Sequence, residues 1–166
     1  SPGRPLVMGI VNVTPDSFSG DGLHQRVDAA FDQAMRMMAS GADLLDIGAE
    51  STRPGAQPVS AQEELDRLLP LLERLVVAGV PVSVDTVKAQ VMAESLRLGV
   101  GMINDVTALA DPAAADVLAP QADVAVCLMH MQGEPRSMQT APQYGDVIAE
   151  VADFLQRAEA AAVRAG

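Results

Sequence analysis

The sequence predicts a parallel α/β fold, and three observations support this prediction. Short apolar runs alternate along the chain with stretches of helical spacing, which is the pattern of repeated βα units. Hydrophobic residues make up 49% of the 166 residues and aromatic residues only 2%, so aliphatic side chains must fill the core, as in buried parallel strands. Each apolar run also ends abruptly in polar residues, and ligands of such folds lie at the carboxyl ends of the strands.

Five strands and five helices are expected to alternate. The apolar runs predict strands at 6–13, 42–49, 80–84, 101–103 and 123–129. Helical spacing and its start and stop signals predict helices at 25–40, 60–78, 87–98, from 112 onward and at 146–165. Five βα units are compatible with an open doubly wound sheet. They are equally compatible with five of the eight units of a (β/α)8 barrel.

Three local signals locate the helix boundaries. Ser60 with Glu63 forms a capping box at the start of the second helix, and Asp111 followed by proline starts the fourth. Glycines that follow the helical spacing, at positions 41, 79 and 99, are expected to end three helices. Pro70 predicts a kink or a break inside the second helix, because it removes a backbone hydrogen bond.

Composition narrows the class of partner. The net charge of −11 disfavours non-specific nucleic-acid binding, which requires basic side chains to neutralise phosphates. No apolar stretch approaches the ~18 residues of a membrane span, so no membrane partner is expected. A single cysteine, Cys127, allows no disulfide within the chain and fits a cytoplasmic location. The missing initiator Met predicts that the sequence is cut from a longer chain.

The loops after the first two strands are dense in hydrogen-bonding groups. Asn12 and Asp16 in the first loop offer hard oxygen atoms that suit Mg²⁺ bound jointly with phosphates. Arg53 in the second loop, with the hydroxyls of Ser51 and Thr52, suits a phosphate or pyrophosphate. Turns also require such residues, so composition leaves a purely structural role open.

Carboxylate and amide side chains end the third and fourth strands. Asp85, Asn104 and Asp105 could hold a flat heterocycle that has an amide edge and an exocyclic amine. The alternative is that they cap the helices that follow. His130 ends the fifth strand without a nucleophile beside it in sequence, which favours a packing or supporting role.

Taken together, these residues resemble the dihydropteroate synthase family. The similarity lies in four segments in the family's order, MGIVNVTPDSFS at 8–19, DIGAESTRPG at 46–55, SVDT at 83–86 and INDV at 103–106. The fifth strand, CLMHMQG at 127–133, is also similar. The resemblance implies a (β/α)8 TIM barrel of which this chain supplies about five units. It implies a single pterin-binding domain over 1–166, incomplete at its C-terminus, without the functional residues that the family carries on its last three strands.

The resemblance also implies a reaction of folate biosynthesis. The family condenses 6-hydroxymethyl-7,8-dihydropterin diphosphate with 4-aminobenzoate, giving 7,8-dihydropteroate and pyrophosphate, and it requires Mg²⁺. Asn12 would bind Mg²⁺ beside the leaving pyrophosphate, and Asp85 and Asn104 would hold the pterin ring. The other implied substrate contacts are Thr52 and Arg53 at the diphosphate, Phe18, Ser51 and Pro54 at 4-aminobenzoate, and Val106 and Met129 as apolar walls of the pterin pocket. Asp85, Asn104 and Arg53 would carry the catalysis, in a homodimer of full-length chains.

Two other readings remain open. A pterin-binding methyltransferase domain would share the Asp and Asn strand ends, but it does not need the segments at 12–19 and 51–55. A non-catalytic barrel fragment that binds pterin weakly would need no further chemistry, and an exposed sheet edge would then invite pairing with another chain.

Overall fold

Five parallel strands form one sheet, in the order β1-β2-β3-β4-β5. The computed structural model describes residues 3–14, 23–50, 59–133, 138 and 141–165. The strands are β1 Met8–Asn12, β2 Leu44–Gly48, β3 Val82–Asp85, β4 Met102–Asp105 and β5 Ala125–Leu128. The helices are α1 Leu23–Ala39, α2 Ala61–Val77, α3 Ala89–Leu98, α4 Pro112–Leu118 and α5 Val147–Ala165. The parallel α/β prediction is therefore confirmed.

The strand order decides between the two architectures that the sequence left open. A doubly wound sheet reverses its strand order at a switch point, whereas this sheet adds each strand beside the previous one. Right-handed crossovers then place every helix on the same face, and each helix contacts the next one along the chain. This is the winding of a (β/α)8 barrel, and the chain supplies five of its βα units.

The hydrophobic core lies between the sheet and the helices. Val11, Leu45, Ile47, Val84 and Ile103 point from the strands towards the helices and are fully buried. Helix α2 contributes four leucines that are equally buried, Leu68, Leu71, Leu72 and Leu75. Burial of a leucine side chain stabilises a fold by about 2 kcal/mol, so this row holds α2 firmly on the sheet.

The predicted start and stop signals of the helices are found in the structure. The Ser60 hydroxyl accepts a hydrogen bond from the Glu63 backbone at 3.2 Å, and Asp111 accepts one from the Ala113 backbone at 3.0 Å. Gly99 ends α3 with φ of 99°, a conformation that suits glycine. Helix α2 continues through Pro70 without a break, because the buried leucines on both sides of the proline keep its apolar face on the sheet.

The opposite face of the sheet carries none of the described helices. Ile10 is 57% exposed there, and Met8 and Ala125 are exposed as well. Polar side chains occupy the same face towards the carboxyl ends of the strands. In a closed (β/α)8 barrel this face is the interior. No described helix is both long enough and apolar enough to cross a membrane.

Candidate functional site

The candidate site is a row of residues across the carboxyl ends of the strands. In the strand register, Asn12 pairs with Gly48, Gly48 with Asp85, Asp85 with Asn104 and Asn104 with Cys127. Side chains paired in this way share one face of a parallel sheet, and neighbouring strands lie about 4.8 Å apart. The fold therefore brings together Asn12, Asp85 and Asn104, which are far apart in sequence, on the helix-free face.

Gly48 leaves an open space between two of these side chains. A Cβ atom at Gly48 would lie 3.3 Å from Asn12 Oδ1 and 3.6 Å from Asp85 Oδ2. Any side chain at position 48 would therefore fill the space that the amide of Asn12 and the carboxyl of Asp85 share. The absence of one keeps both groups accessible from the same side of the sheet.

Asp85 is a half-buried carboxyl group surrounded by negative charge. Burial and, after it, repulsion from Asp46, Glu64, Asp105 and Glu50 together raise its pKa from 3.8 to about 7. None of the described residues donates a hydrogen bond to it. A ligand that brings a positive or strongly donating edge would supply the interaction that Asp85 lacks.

The side chain of Asn104, on β4, is held by a residue of β2, which is not adjacent to β4 in the sheet. Its Nδ2 donates to Asp46 Oδ2 at 2.9 Å, across the intervening strand β3. Asp46 is 4% exposed, and its second oxygen, Oδ1, has no hydrogen-bond partner among the described residues. Ser83 pairs with Asp46 in the register, and the Oγ of this buried serine also lacks a described partner.

Asp105, by contrast, has a structural role. Its Oδ1 accepts hydrogen bonds from the backbone and the hydroxyl of Thr107, both at 2.7 Å, and its Oδ2 accepts one from the Leu109 backbone at 3.0 Å. The side chain is fully buried and shapes the turn after β4, where Leu109 has a positive φ of 58°. Asp105 therefore orders a turn, but it does not cap the helix that follows, since Asp111 is the N-cap of α4. Asp85 does not cap the following helix either, since Lys88 is the N-cap of α3.

A partly buried ion triad lies next to the row. Lys88 Nζ binds Glu50, which follows β2, and Glu64 Oε2 of α2 at 2.6 Å. Although burial lowers the pKa of Lys88, its hydrogen bonds to both glutamates outweigh that effect and raise the pKa overall. The Glu64 side chain is almost fully buried. Sequence reasoning missed this triad, and a Lys at the first turn after a strand gave no sign of its two partners.

The remaining predicted residues divide into two groups. Val106 is buried but lies outside the core cluster beneath the helices, and half-buried Met129 extends β5 through a 3.4 Å hydrogen bond from its backbone to Asp105. Both follow the row by two residues and lie just beyond the ends of β4 and β5. The predictions for Asp16, Phe18, Ser51, Thr52, Arg53 and Pro54 lie outside the described residues.

His130 belongs to the packing of α5. Its ring lies edge-on to Phe154 at 4.9 Å between centroids and tilted to Tyr144 at 5.9 Å. These contacts fit the packing role that the sequence favoured.

Asp46 is the residue of the candidate site that sequence reasoning did not single out. A charged residue in the middle of a buried strand was the available signal, because an Asp is almost never fully buried unless it is paired.

The described residues include no cluster of three His, Cys, Asp or Glu side chains that could enclose a metal ion. Asn12 offers one amide oxygen on an exposed side chain at the edge of the row. Mg²⁺ keeps several waters and is commonly bound by one or two protein ligands together with substrate phosphates. The donor set therefore fits an ion brought in with a diphosphate better than one held by the protein alone.

Comparison with known proteins identifies the class. A family model described as "Pterin binding enzyme" matches residues 8–166, and the chain belongs to this family. Its similar relatives include dihydropteroate synthases. The enzyme of Neisseria meningitidis serogroup B is 48% identical over 165 residues, which cover 98% of this chain and 58% of the relative.

Solved structures agree with this assignment. Dihydropteroate synthase of Burkholderia cenocepacia, complexed with 7,8-dihydropteroate, is 47% identical with a TM-score of 0.86, and the match covers 100% of this chain and 56% of that one. The Xanthomonas albilineans enzyme with 4-aminobenzoic acid is 52% identical with a TM-score of 0.85, and the match covers 96% and 56%. The chain thus spans somewhat more than half the length of these relatives.

Proposed function

We propose that this chain is the pterin-binding part of a dihydropteroate synthase. The polypeptide that contains it would join 6-hydroxymethyl-7,8-dihydropterin diphosphate to 4-aminobenzoate and release pyrophosphate. The observation that carries the proposal is the single row of Asn12, Asp85 and Asn104 on the helix-free face. The dihydropteroate synthase of Burkholderia cenocepacia, whose structure holds 7,8-dihydropteroate, supports it.

The pterin ring would lie against Asp85 and Asn104. Its amino and ring N–H groups present donors to the carboxylate of Asp85 and to the carbonyl oxygen of Asn104. A donor edge that binds the ionised form brings the pKa of Asp85 back down from about 7, so the site favours such a ligand over water. Val106 and Met129 would flank the ring as apolar walls.

The diphosphate would leave on the Asn12 side of the row. Asn12 would hold Mg²⁺ through Oδ1, and the ion, when bound, neutralises charge that develops on the leaving pyrophosphate. Thr52 and Arg53 would bind the diphosphate oxygens through a hydroxyl and a guanidinium. Both stabilise the same developing charge, and the ionised Asp85 stabilises the positive charge left on the pterin.

4-Aminobenzoate would then attack the methylene carbon from the outer side of the ring. The C–O bond to the diphosphate would break first, and the amine nitrogen would then form the C–N bond to the cationic methylene carbon and release its proton to water. Phe18, Ser51 and Pro54 would shape its pocket. They would also exclude water, which competes with the amine as nucleophile.

The direct test measures pyrophosphate release by the complete polypeptide in which this sequence occurs. We expect release that requires both 4-aminobenzoate and Mg²⁺, together with formation of 7,8-dihydropteroate. A folded protein that binds the pterin diphosphate but releases nothing would support the binding-only reading. Transfer of a methyl group from a pterin instead would support the methyltransferase reading.

The proposal also covers the cellular location, the domain organisation and the oligomeric state. A cytoplasmic location agrees with the lone thiol of Cys127 in a chain whose partners are small molecules. We further propose that residues 1–166 form part of a single barrel domain. We also propose that full-length chains form a homodimer. Sedimentation analysis of the complete polypeptide tests the oligomeric state.

A further inference from the structure

Asp46 is a buried carboxylate without an assigned role. It lies on β2 two residues before the row, it is 4% exposed, and it points to the helix-free face rather than into the core. Burial of a carboxylate is costly unless its oxygens are bonded, and one of the two has no partner among the described residues. A residue kept at this cost calls for an explanation beyond packing.

The contact that Asp46 does make fixes a neighbour. Its Oδ2 accepts a hydrogen bond from Asn104 Nδ2 at 2.9 Å. A primary amide has its donor and acceptor at opposite ends, so an NH₂ bound to Asp46 leaves the carbonyl oxygen on the other side. Without such a partner the amide of Asn104 could turn over and present donors instead of an acceptor.

The path between the two side chains depends on Ser83. Asp46 and Asn104 come from β2 and β4, so their hydrogen bond passes over β3, where Ser83 lies in register with Asp46. Inward-pointing side chains from alternate strands form such layers in barrels of this class. The small serine leaves the path open, and its own hydroxyl has no described partner.

We propose that Asp46 is a positioning residue that acts through Asn104. It holds the amide of Asn104 with its oxygen available, so that Asn104 accepts from an N–H of the heterocycle. This inference rests on the proposed pterin-binding function. The amide is oriented before the ligand arrives, and the ligand does not bear the cost of ordering it.

Matched variants of the complete polypeptide separate this role from a structural one. Asp46→Asn keeps an acceptor for Asn104 Nδ2, whereas Asp46→Leu removes it with little change in size. The probe is 6-hydroxymethyl-7,8-dihydropterin diphosphate, and calorimetry gives its dissociation constant. We expect Asp46→Leu to weaken binding at least about tenfold and Asp46→Asn by no more than about threefold. Ser83→Ala is the control and should bind like the wild type.

A double-mutant cycle gives the decisive readout. If Asp46 acts through Asn104, then Asp46→Leu should cause no further loss in an Asn104→Ala protein. Multiplied losses in the double variant would overturn the proposal, and so would wild-type affinity of Asp46→Leu. Equal losses in Asp46→Asn and Asp46→Leu would do the same. Wild-type protein that does not bind the probe would instead contradict the proposed function, so the two failures are distinguishable.

Discussion

At the scale of the residue, Asp85 is a half-buried carboxyl group among other carboxylates. Burial and four neighbouring carboxylates raise its pKa to about 7, so its carboxyl group is partly protonated near neutral pH. The raised pKa of Asp85 also makes the stability of the fold depend on pH. Between the unfolded pKa and the native one, the native state binds more protons, so stability falls as pH rises from about 4 to about 7.

Replacement of Asp85 by Asn should therefore have opposite effects on folding and on binding. In the ligand-free protein at pH 8, we expect Asp85→Asn to raise the free energy of unfolding by on the order of 1–3 kcal/mol, because it removes a buried charge. The difference should vanish towards pH 4. Pterin affinity should be lost. Urea unfolding at both pH values and calorimetry with the pterin diphosphate check this. Unchanged affinity would remove Asp85 from the site.

Arg53 is expected to act at the leaving group rather than on the ring. We expect Arg53→Ala to lower kcat for pyrophosphate release at least about a hundredfold and pterin affinity less than tenfold, because its charge counters the charge that develops in the transition state. Steady-state kinetics and pterin binding separate the two effects. An unchanged kcat would contradict this role.

Sequence reasoning singled out the residues of the candidate site that end strands, but not those that lie inside a strand or a helix. Asn12, Asp85 and Asn104 stand at strand ends, where periodicity and polarity change together, and a single chain reveals that position. Asp46 and Glu64 lie inside an apolar strand and an amphipathic helix. Their significance depends on partners 58 and 24 residues away in sequence, and local patterns carry no information on such contacts.

At the scale of the element, the ion triad joins three segments that surround the row. Lys88 at the start of α3 binds Glu64 of α2 and Glu50 after β2. The triad connects the segment after β2 and the start of α3 to α2. It also leaves one glutamate oxygen, Glu64 Oε1, buried without a described partner.

Removal of the lysine should destabilise the folded protein. We expect Lys88→Met to lower the free energy of unfolding by about 3 kcal/mol, since it leaves a buried glutamate unpaired beside a second one. Glu64→Gln in the same protein should restore part of the loss. Arg97→Met, which breaks an exposed pair with Glu94, is the control and should have little effect. Chemical denaturation measures all of them, and equal stability of Lys88→Met and wild type would contradict the prediction.

The strands and helices were predictable to within a few residues, because local sequence signals specify each of them. Each of the five strands matches its predicted run, and the caps at Ser60 and Asp111 form as expected. Of the kink or break predicted at Pro70, the break is absent, because tertiary packing of the buried leucines outweighs the loss of one backbone hydrogen bond. The strand order was not readable from local patterns, since both architectures share them.

At the scale of the whole molecule, stability is unevenly distributed. The buried core draws on β1 to β4 and on α1 to α4, while no side chain of β5 or α5 belongs to it among the described residues. Ile148 and Val163 of α5 are 81% and 73% exposed. Apolar surface of this kind contributes nothing to folding while it remains in water.

Hydrogen exchange should reveal this gradient in the 166-residue polypeptide. We expect backbone amides of α2, β2 and β3 to be the most protected and those of α5 to exchange at least about a hundredfold faster, because local opening of α5 exposes little buried surface. Mass-spectrometric exchange resolves both regions in one experiment. Protection of α5 equal to that of α2 in the 166-residue chain would contradict the uneven core.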